Sequence, residues 1–205
     1  SWSARTINAA VGVTIVDMAA PNGTDLYVAD AVGGNVAKST NSGWVWSGAN
    51  TKATGSAGNL ISLVVDGETL VVGDNQASIY RSDDANATWS QTAWAMGAAA
   101  NTYVAVDGDI VYGQLAGGAI WRWESGVSTA WYNTTVTALA PAVATGAGVV
   151  LADDGTMYAL EPAATADTQV YRSINPTAAP PFTPLFEWVA GLTAVASGSI
   201  DAAAG

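Results

Sequence analysis

Across 205 residues, six lysines and arginines face seventeen aspartates and glutamates, for a net charge of −11, while half of all residues are hydrophobic. So apolar a chain is not disordered by default, and so acidic a one repels phosphate backbones and anionic bilayers, which excludes nucleic acid and membrane insertion as expected partners. Cysteine and histidine are both absent, so disulfides, thiol chemistry, Cys/His zinc sites and histidine bases are excluded, and a metal would need oxygen ligands, which points to calcium.

The chain opens at Ser1 without a basic segment followed by an apolar run, so no signal peptide is read in it. Its longest uncharged stretch, Trp131 to Ala152, is broken by Pro141, Gly146 and Gly148 and reads poorly as a membrane helix. From there the chain is best read against itself. Tryptophans 2, 46, 89, 131 and 188 recur at intervals of about 42 to 44 residues, the last one longer. In phase with them come a turn signal (Asn22-Gly23, Asp66-Gly67, Asp107-Gly108, Thr145-Gly146) and an apolar run closed by a polar residue ("LYVAD", "LVVGD", "IVYGQ", "VVLAD"). A second run follows each time: "NVAKS", "SIYRS", "AIWRW" and, after an insertion between Asp154 and Gln169, "QVYRS".

Each run is about five residues long, rich in Val, Ile, Leu and Tyr, and bounded by Gly-containing turns, so the units read as β. In the second unit "NLISLVV", "TLVVGD", "SIYRSD" and "TWSQTAW" give four strands. About 40 to 45 residues and four antiparallel strands make one blade of a β-propeller. The expected architecture is therefore all-β, a β-propeller of four-stranded antiparallel blades near 3–46, 47–89, 90–131 and 132–188, with a partial unit at 189–205. Two readings of the ends stay open. Either "SWSART" completes a fifth blade begun at the C-terminus, or these residues belong to a larger propeller.

Two stretches, "STNSGWVW" (39–46) and "SDDANATW" (82–89), share the pattern Ser-x-Asp/Asn-x-Gly/Asn-x-x-Trp. This resembles the Asp-box of the sialidase-like, bacterial-neuraminidase-repeat propellers. The copy at 124–131 keeps little but its tryptophan, and the one at 173–188 keeps Ser173 and Asn175 before a Pro-rich stretch, "NPTAAPPFTP". Asn41 and Asp84 are suited to accept N–H bonds within their own turn, with Ser39 and Ser82 adding weaker ones. Gly43 and Asn86 stand where a positive φ is expected, and Trp46 and Trp89 are read as starting the last strand and packing between blades. The resemblance implies a structural motif on the hairpin between third and fourth strands, away from the substrate-binding face.

Lys38, Arg81, Arg122 and Arg172 occupy one repeat position, so they are spread around the repeats and not gathered on one spot. Sialidases use an arginine triad, a tyrosine–glutamate pair and an acidic proton donor. Here only Arg5 and Lys52 remain outside that position, and Glu68, Glu124, Glu161 and Glu187 mark no facing pair of carboxyls. No catalytic residue is therefore assigned. "VDGD" (106–109) and "ADDG" (152–155) are the only hints of calcium, and both read as hairpin turns. Asn22 and Asn133 head sequons as candidate glycan acceptors, and the sequon at Asn86 lies inside an Asp-box. Trp44, Trp94, Trp121 and Trp123 fall outside the repeat register and would serve a sugar platform.

The reading is a non-catalytic, extracellular or cell-surface propeller acting as a scaffold through protein partners or self-assembly, without cofactor. The insertion after Asp154 and the stretch 175–184 are its candidate contact segments. The alternatives are a carbohydrate-binding or sialidase-like glycoside hydrolase propeller, or an assembly factor docking on a larger complex.

Overall fold

The computed structural model describes residues 14–92, 96–115, 119–134, 148–161, 167–176 and 187–193. "SWSART", Trp94, Thr145-Gly146, most of "NPTAAPPFTP" and residues 194–205 lie outside them, and residues 189–193 belong to the strand Glu187–Thr193 that ends the fourth sheet. The described strands form four antiparallel four-stranded sheets, each a meander in chain order. The first holds β1 (Ile15–Ala19), β2 (Leu26–Asp30), β3 (Asn35–Ser39) and β4 (Thr51–Ala53). The second holds β5 (Leu60–Asp66), β6 (Thr69–Asp74), β7 (Ile79–Ser82) and β8 (Ser90–Gln91). The third holds β9 (Thr102–Asp107), β10 (Ile110–Leu115), β11 (Ile120–Glu124) and β12 (Tyr132–Asn133). The fourth holds β13 (Gly148–Leu151), β14 (Met157–Glu161), β15 (Asp167–Ser173) and β16 (Glu187–Thr193). This is an all-β, blade-built architecture, and no described helix is long and apolar enough to cross a membrane.

The molecule divides into two compact units, Ser1–Asn101 and Thr102–Gly205, each holding two blades. In the first, Tyr27, Ala29 and Val36 pack against Leu60, Leu63, Leu70, Val72 and Tyr80 of the next blade. Leu60 and Leu70 are wholly buried, and each such side chain contributes about 1.5–3 kcal/mol over an exposed one. In the second unit Ala105, Tyr112 and Ile120 meet Val149, Met157 and Ala159 in the same way. The second strands β2, β6 and β10 are buried along nearly their whole length, on both faces of their sheets, which is why those runs read as nearly continuous hydrophobic stretches.

The fourth unit differs from the sequence reading. "VVLAD" does not match "LYVAD": Val149–Leu151 lie in β13, the first strand of the sheet, and the strand equivalent to β2 and β6 is β14. Register places Met157 opposite Ser173 as Leu26 lies opposite Ser39. Much of the supposed insertion after Asp154 is thus blade: Met157–Glu161 form β14, and Asp167 and Thr168 begin β15. "MYALE" hides it because Met, Ala, Leu and Glu are helix formers, and packing against β13 and β15 overrides that propensity.

Trp46 also departs from expectation. The fourth strand starts only at Thr51, after a single 3-10 turn at Gly48–Asn50. The indole packs on its own blade, against Leu26, Val28 and Ala37. Trp89 directly precedes β8 and does lie against the cluster shared by two blades.

Candidate functional site

The loops that follow β3 and β7 are built alike. Ser39 Oγ donates to Asn41 Oδ1 at 2.9 Å, and Ser82 Oγ donates to Asp84 Oδ1 at 2.8 Å. The serine oxygen in turn accepts from Gly43 N (3.0 Å) or Asn86 N (3.1 Å). The Asx oxygen accepts from the backbone four residues on, Val45 N or Thr88 N, both at 2.8 Å. Two successive residues in each loop take positive φ: Ser42 and Gly43 (57° and 81°), Ala85 and Asn86 (53° and 80°). Glycine has no Cβ to clash there and asparagine tolerates the region, whereas Ser42 and Ala85 hold it against their preference.

The two loops diverge at the Gly/Asn position. In the first, Trp46 Nε1 donates to the Gly43 carbonyl at 3.0 Å. In the second, Asn86 Oδ1 accepts Trp89 Nε1 at 2.8 Å, while its Nδ2 donates to the carbonyls of Val36 and Asn50 in the preceding blade, both at 3.1 Å. Asn86 therefore locks one blade onto the other. After β15, Ser173 Oγ again donates to Asn175 Oδ1, at 3.1 Å. The loop after β11 uses another turn, with Ser128 N donating to the Glu124 carbonyl.

Asp84 accepts the Thr88 hydroxyl at 2.6 Å as well as its N–H. Those two bonds, chiefly the hydroxyl, hold its pKa down at about 2. Each loop is tied to the neighbouring hairpin, Ser42 N donating to Thr24 O, Ala85 N to Glu68 O and Ser125 N to Asp109 O.

The repeat-position cations are bound locally. Lys38 pairs with Asp25 at 3.2 Å and lies over the Tyr27 ring. Arg81 pairs with Asp83, and Arg122 with Glu124, each at 2.6 Å and two residues along the same segment. Arg172 is exposed. No two of the three pairs share an acid.

At the opposite end of the first two blades sits a polar network centred on buried carboxylates. Asp30 accepts from Val32 N and Gly33 N. Asp74 accepts from Gln76 N, Ser78 N and, at 2.7 Å, Ser56 Oγ. A Cβ on Gly58 would collide with Asn75 Oδ1 and come within 2.7 Å of Gln76 Cγ, so the glycine lets the connecting loop close over Asp74. Sequence reasoning missed a further recurrent anchor. Thr54, Thr92 and Thr134, just past the fourth strands, each give both N–H and hydroxyl to one carbonyl at the start of the third strand: Gly34, Ile79 and Ile120. Thr92 and Thr134 stand three residues behind Trp89 and Trp131, which was the available signal, but Thr54 stands eight behind Trp46 because a 3-10 turn intervenes.

The calcium hints resolve into turns. Asp107-Gly108-Asp109-Ile110 and Asp66-Gly67-Glu68-Thr69 are two-residue hairpins with positive φ at the first central glycine. Asp154 accepts Thr156 N at 2.8 Å, which lowers its pKa. Among the described residues no three acidic side chains gather where they could hold a metal ion. Of the tryptophans outside the register, Trp123 is buried against Trp131 (ring centroids 6.3 Å apart), Trp121 is half-buried, and Trp44 is 64% exposed. Of the sequon asparagines, Asn22 and Asn133 are exposed and Asn86 is 3% exposed.

No family model matches the chain, and no curated protein matches it in sequence. Solved structures do resemble it in fold. YCF48 from Cyanidioschyzon merolae is 14% identical with a TM-score of 0.58, over 76% of this chain and 52% of that one. YCF48 bound to D1 peptide is 14% identical with a TM-score of 0.59, over 84% of this chain and 54% of that one. The GH74 enzyme of Niastella koreensis is 16% identical with a TM-score of 0.59, over 85% of this chain and 30% of that one. The fold is a β-propeller. This chain spans about half the length of the YCF48 structures it matches.

Proposed function

We propose that this is a non-catalytic propeller module of the Asp-box type, displayed outside the cell or at its surface, that works by contact with protein partners or further copies of itself and needs no cofactor. The observation that carries the reading is where the polar groups go. Ser39 with Asn41 and Ser82 with Asp84 are bonded within their own loops, and Lys38, Arg81 and Arg122 each pair with an acid of their own blade. Catalysis instead requires groups from different elements converging on one reacting atom. The serine-to-Asx bonds in three blades support the assignment of Ser39, Asn41, Gly43, Trp46, Ser82, Asp84, Asn86 and Trp89 to structural Asp-boxes. A peptide-bound relative of the same fold supports a protein partner, and a glycoside hydrolase among the neighbours keeps a sugar ligand as the competing reading.

Light scattering on the purified chain, with and without millimolar calcium, tests this beside a glycan array and a glycoside-turnover panel. Discrete or open-ended assembly with no turnover is the expected result. Turnover that disappears when one carboxylate is replaced overturns it.

A further inference from the structure

The end of the first blade that carries the Asn41 loop carries a second polar turn, between β1 and β2. Asn22 is exposed, and its Oδ1 accepts three bonds: Thr24 N at 2.8 Å, Thr24 Oγ1 at 2.9 Å and Asp25 N at 2.7 Å. All three use the carbonyl oxygen, so the turn does not depend on Nδ2. The turn is also fixed from the Asn41 loop, where Ser42 N donates to Thr24 O and Ser42 Oγ to Gly23 O, both at 2.7 Å. An Asn-x-Thr sequon is thus presented in one defined, solvent-facing conformation.

We propose that Asn22 is the N-glycan acceptor of this chain, taking a sugar activated as a glycosyl phosphate or pyrophosphate. Sequons are modified on accessible surface loops, where a bulky polar group is tolerated. Of the other two sequon asparagines, Asn86 is buried, and Asn133, though exposed, lies in a strand and not in a loop. Both hydrogens of the Asn86 amide are spent on Val36 O and Asn50 O in the preceding blade, so a sugar on that nitrogen would have to sit between blades. Asn133 lies in β12, opposite Trp121, and the next residue, Thr134, is 1% exposed with N–H and hydroxyl both on the Ile120 carbonyl. Drawing that segment into a transferase would strip β12 from β11.

In the transfer, a bond forms between Asn22 Nδ2 and the sugar C1, and the bond from C1 to the phosphate oxygen breaks. The nucleoside- or lipid-linked phosphate or diphosphate, according to the donor, leaves with the electron pair, and the amide proton passes to a base of the transferase. The glycan then occupies the same blade end as Trp44 and Val45, which are 64% and 60% exposed. It would turn the apolar part of that end into a polar surface.

Natural occurrence of this modification rests on the cell-surface reading, but the acceptor geometry does not, so the test uses purified folded chain. The chain is incubated with a soluble sequon-specific N-glycosyltransferase and its nucleotide-sugar donor, beside the peptides released from it by trypsin. The folded chain is expected to take one sugar, at Asn22, while the peptides take it at all three sequons. Asn22→Gln and Thr24→Ala should abolish it, and Thr24→Ser should keep it with an unchanged circular dichroism spectrum. Modification of the folded chain at Asn133 or Asn86 in preference to Asn22 overturns the proposal. So does failure at Asn22, whether or not its peptide reacts. Secretion from a eukaryotic host then asks whether the lipid-linked donor serves the same residue. An acceptor that works in vitro, in a chain its own cells keep in the cytoplasm, would sink the cell-surface reading and leave the geometry standing.

Discussion

Asn41 and Asp84 do the same work with different chemistry, and the difference is measurable. Asp84 bonds the Thr88 hydroxyl and N–H through two carboxylate oxygens, and its pKa is about 2 in the folded chain. An unfolded aspartate titrates near about 3.9. Because the folded pKa is the lower one, the stabilisation is present above the unfolded pKa and is lost as pH falls through the folded one. Asn41 cannot titrate, so its loop should be indifferent over that window. Asp84→Asn should therefore lower the urea midpoint slightly at neutral pH, and the gap to wild type should close by about pH 2. Parallel curves at both pH values would mean that the carboxylate charge adds nothing. Other carboxylates titrate in both proteins, so the difference between variants isolates Asp84. Sequence made the Gly43 and Asn86 positions legible, because those residue types tolerate positive φ. It did not disclose Ser42 and Ala85, since nothing in a serine or an alanine announces a backbone forced into that region by its neighbours' bonds.

At the scale of the blade, most of the strands could be read from β-branched runs between Gly turns, and the cross-strand pairs keep those runs in register. What escaped is instructive. The β14 strand "MYALE" lacks the residues that announce a strand, and the register of the fourth blade slipped accordingly. Residue type also failed to reveal that Asn86 belongs to two blades. It serves its own loop through Oδ1 and its neighbour through Nδ2. Asn86→Gly keeps the positive φ at no steric cost but leaves two carbonyls and the Trp89 N–H without their partner. The expected loss is about 1–3 kcal/mol, within the range for an unsatisfied buried polar group. Asn86→Ala should lose more, because the alanine must also bear the strained backbone, by about 1–2 kcal/mol. Chemical denaturation of both variants checks the order. If Asn86→Gly matches wild type, the link between blades is decorative. Should Asn86→Ala prove the milder of the two, backbone strain is not the cost assigned to it.

For the whole molecule the governing quantity is charge, which was fully visible in the sequence, while the partner was not. No short motif encodes a flat contact surface, and the resemblance to an Asp-box marks the framework and not what docks on it. Charge nonetheless separates the two forms of the scaffold reading. Copies of a chain at −11 repel each other, so self-assembly through apolar contacts must overcome that repulsion. Added salt screens charges beyond about 10 Å at 0.1 M, and should therefore strengthen self-assembly. A partner with a basic face is drawn by the same field, so salt should weaken that complex and slow its formation. Mass photometry of the chain alone across a salt series gives the first answer, and titration with a lysine-rich peptide across the same series gives the second. Growth of oligomers with salt, and indifference to the peptide, identifies a self-assembling surface protein. Tight peptide binding that fades with salt identifies an adaptor for a basic partner. A chain that stays monomeric and ignores the peptide at every salt concentration contradicts both, and moves the argument to a sugar ligand and to Trp44, whose ring stands mostly in solvent.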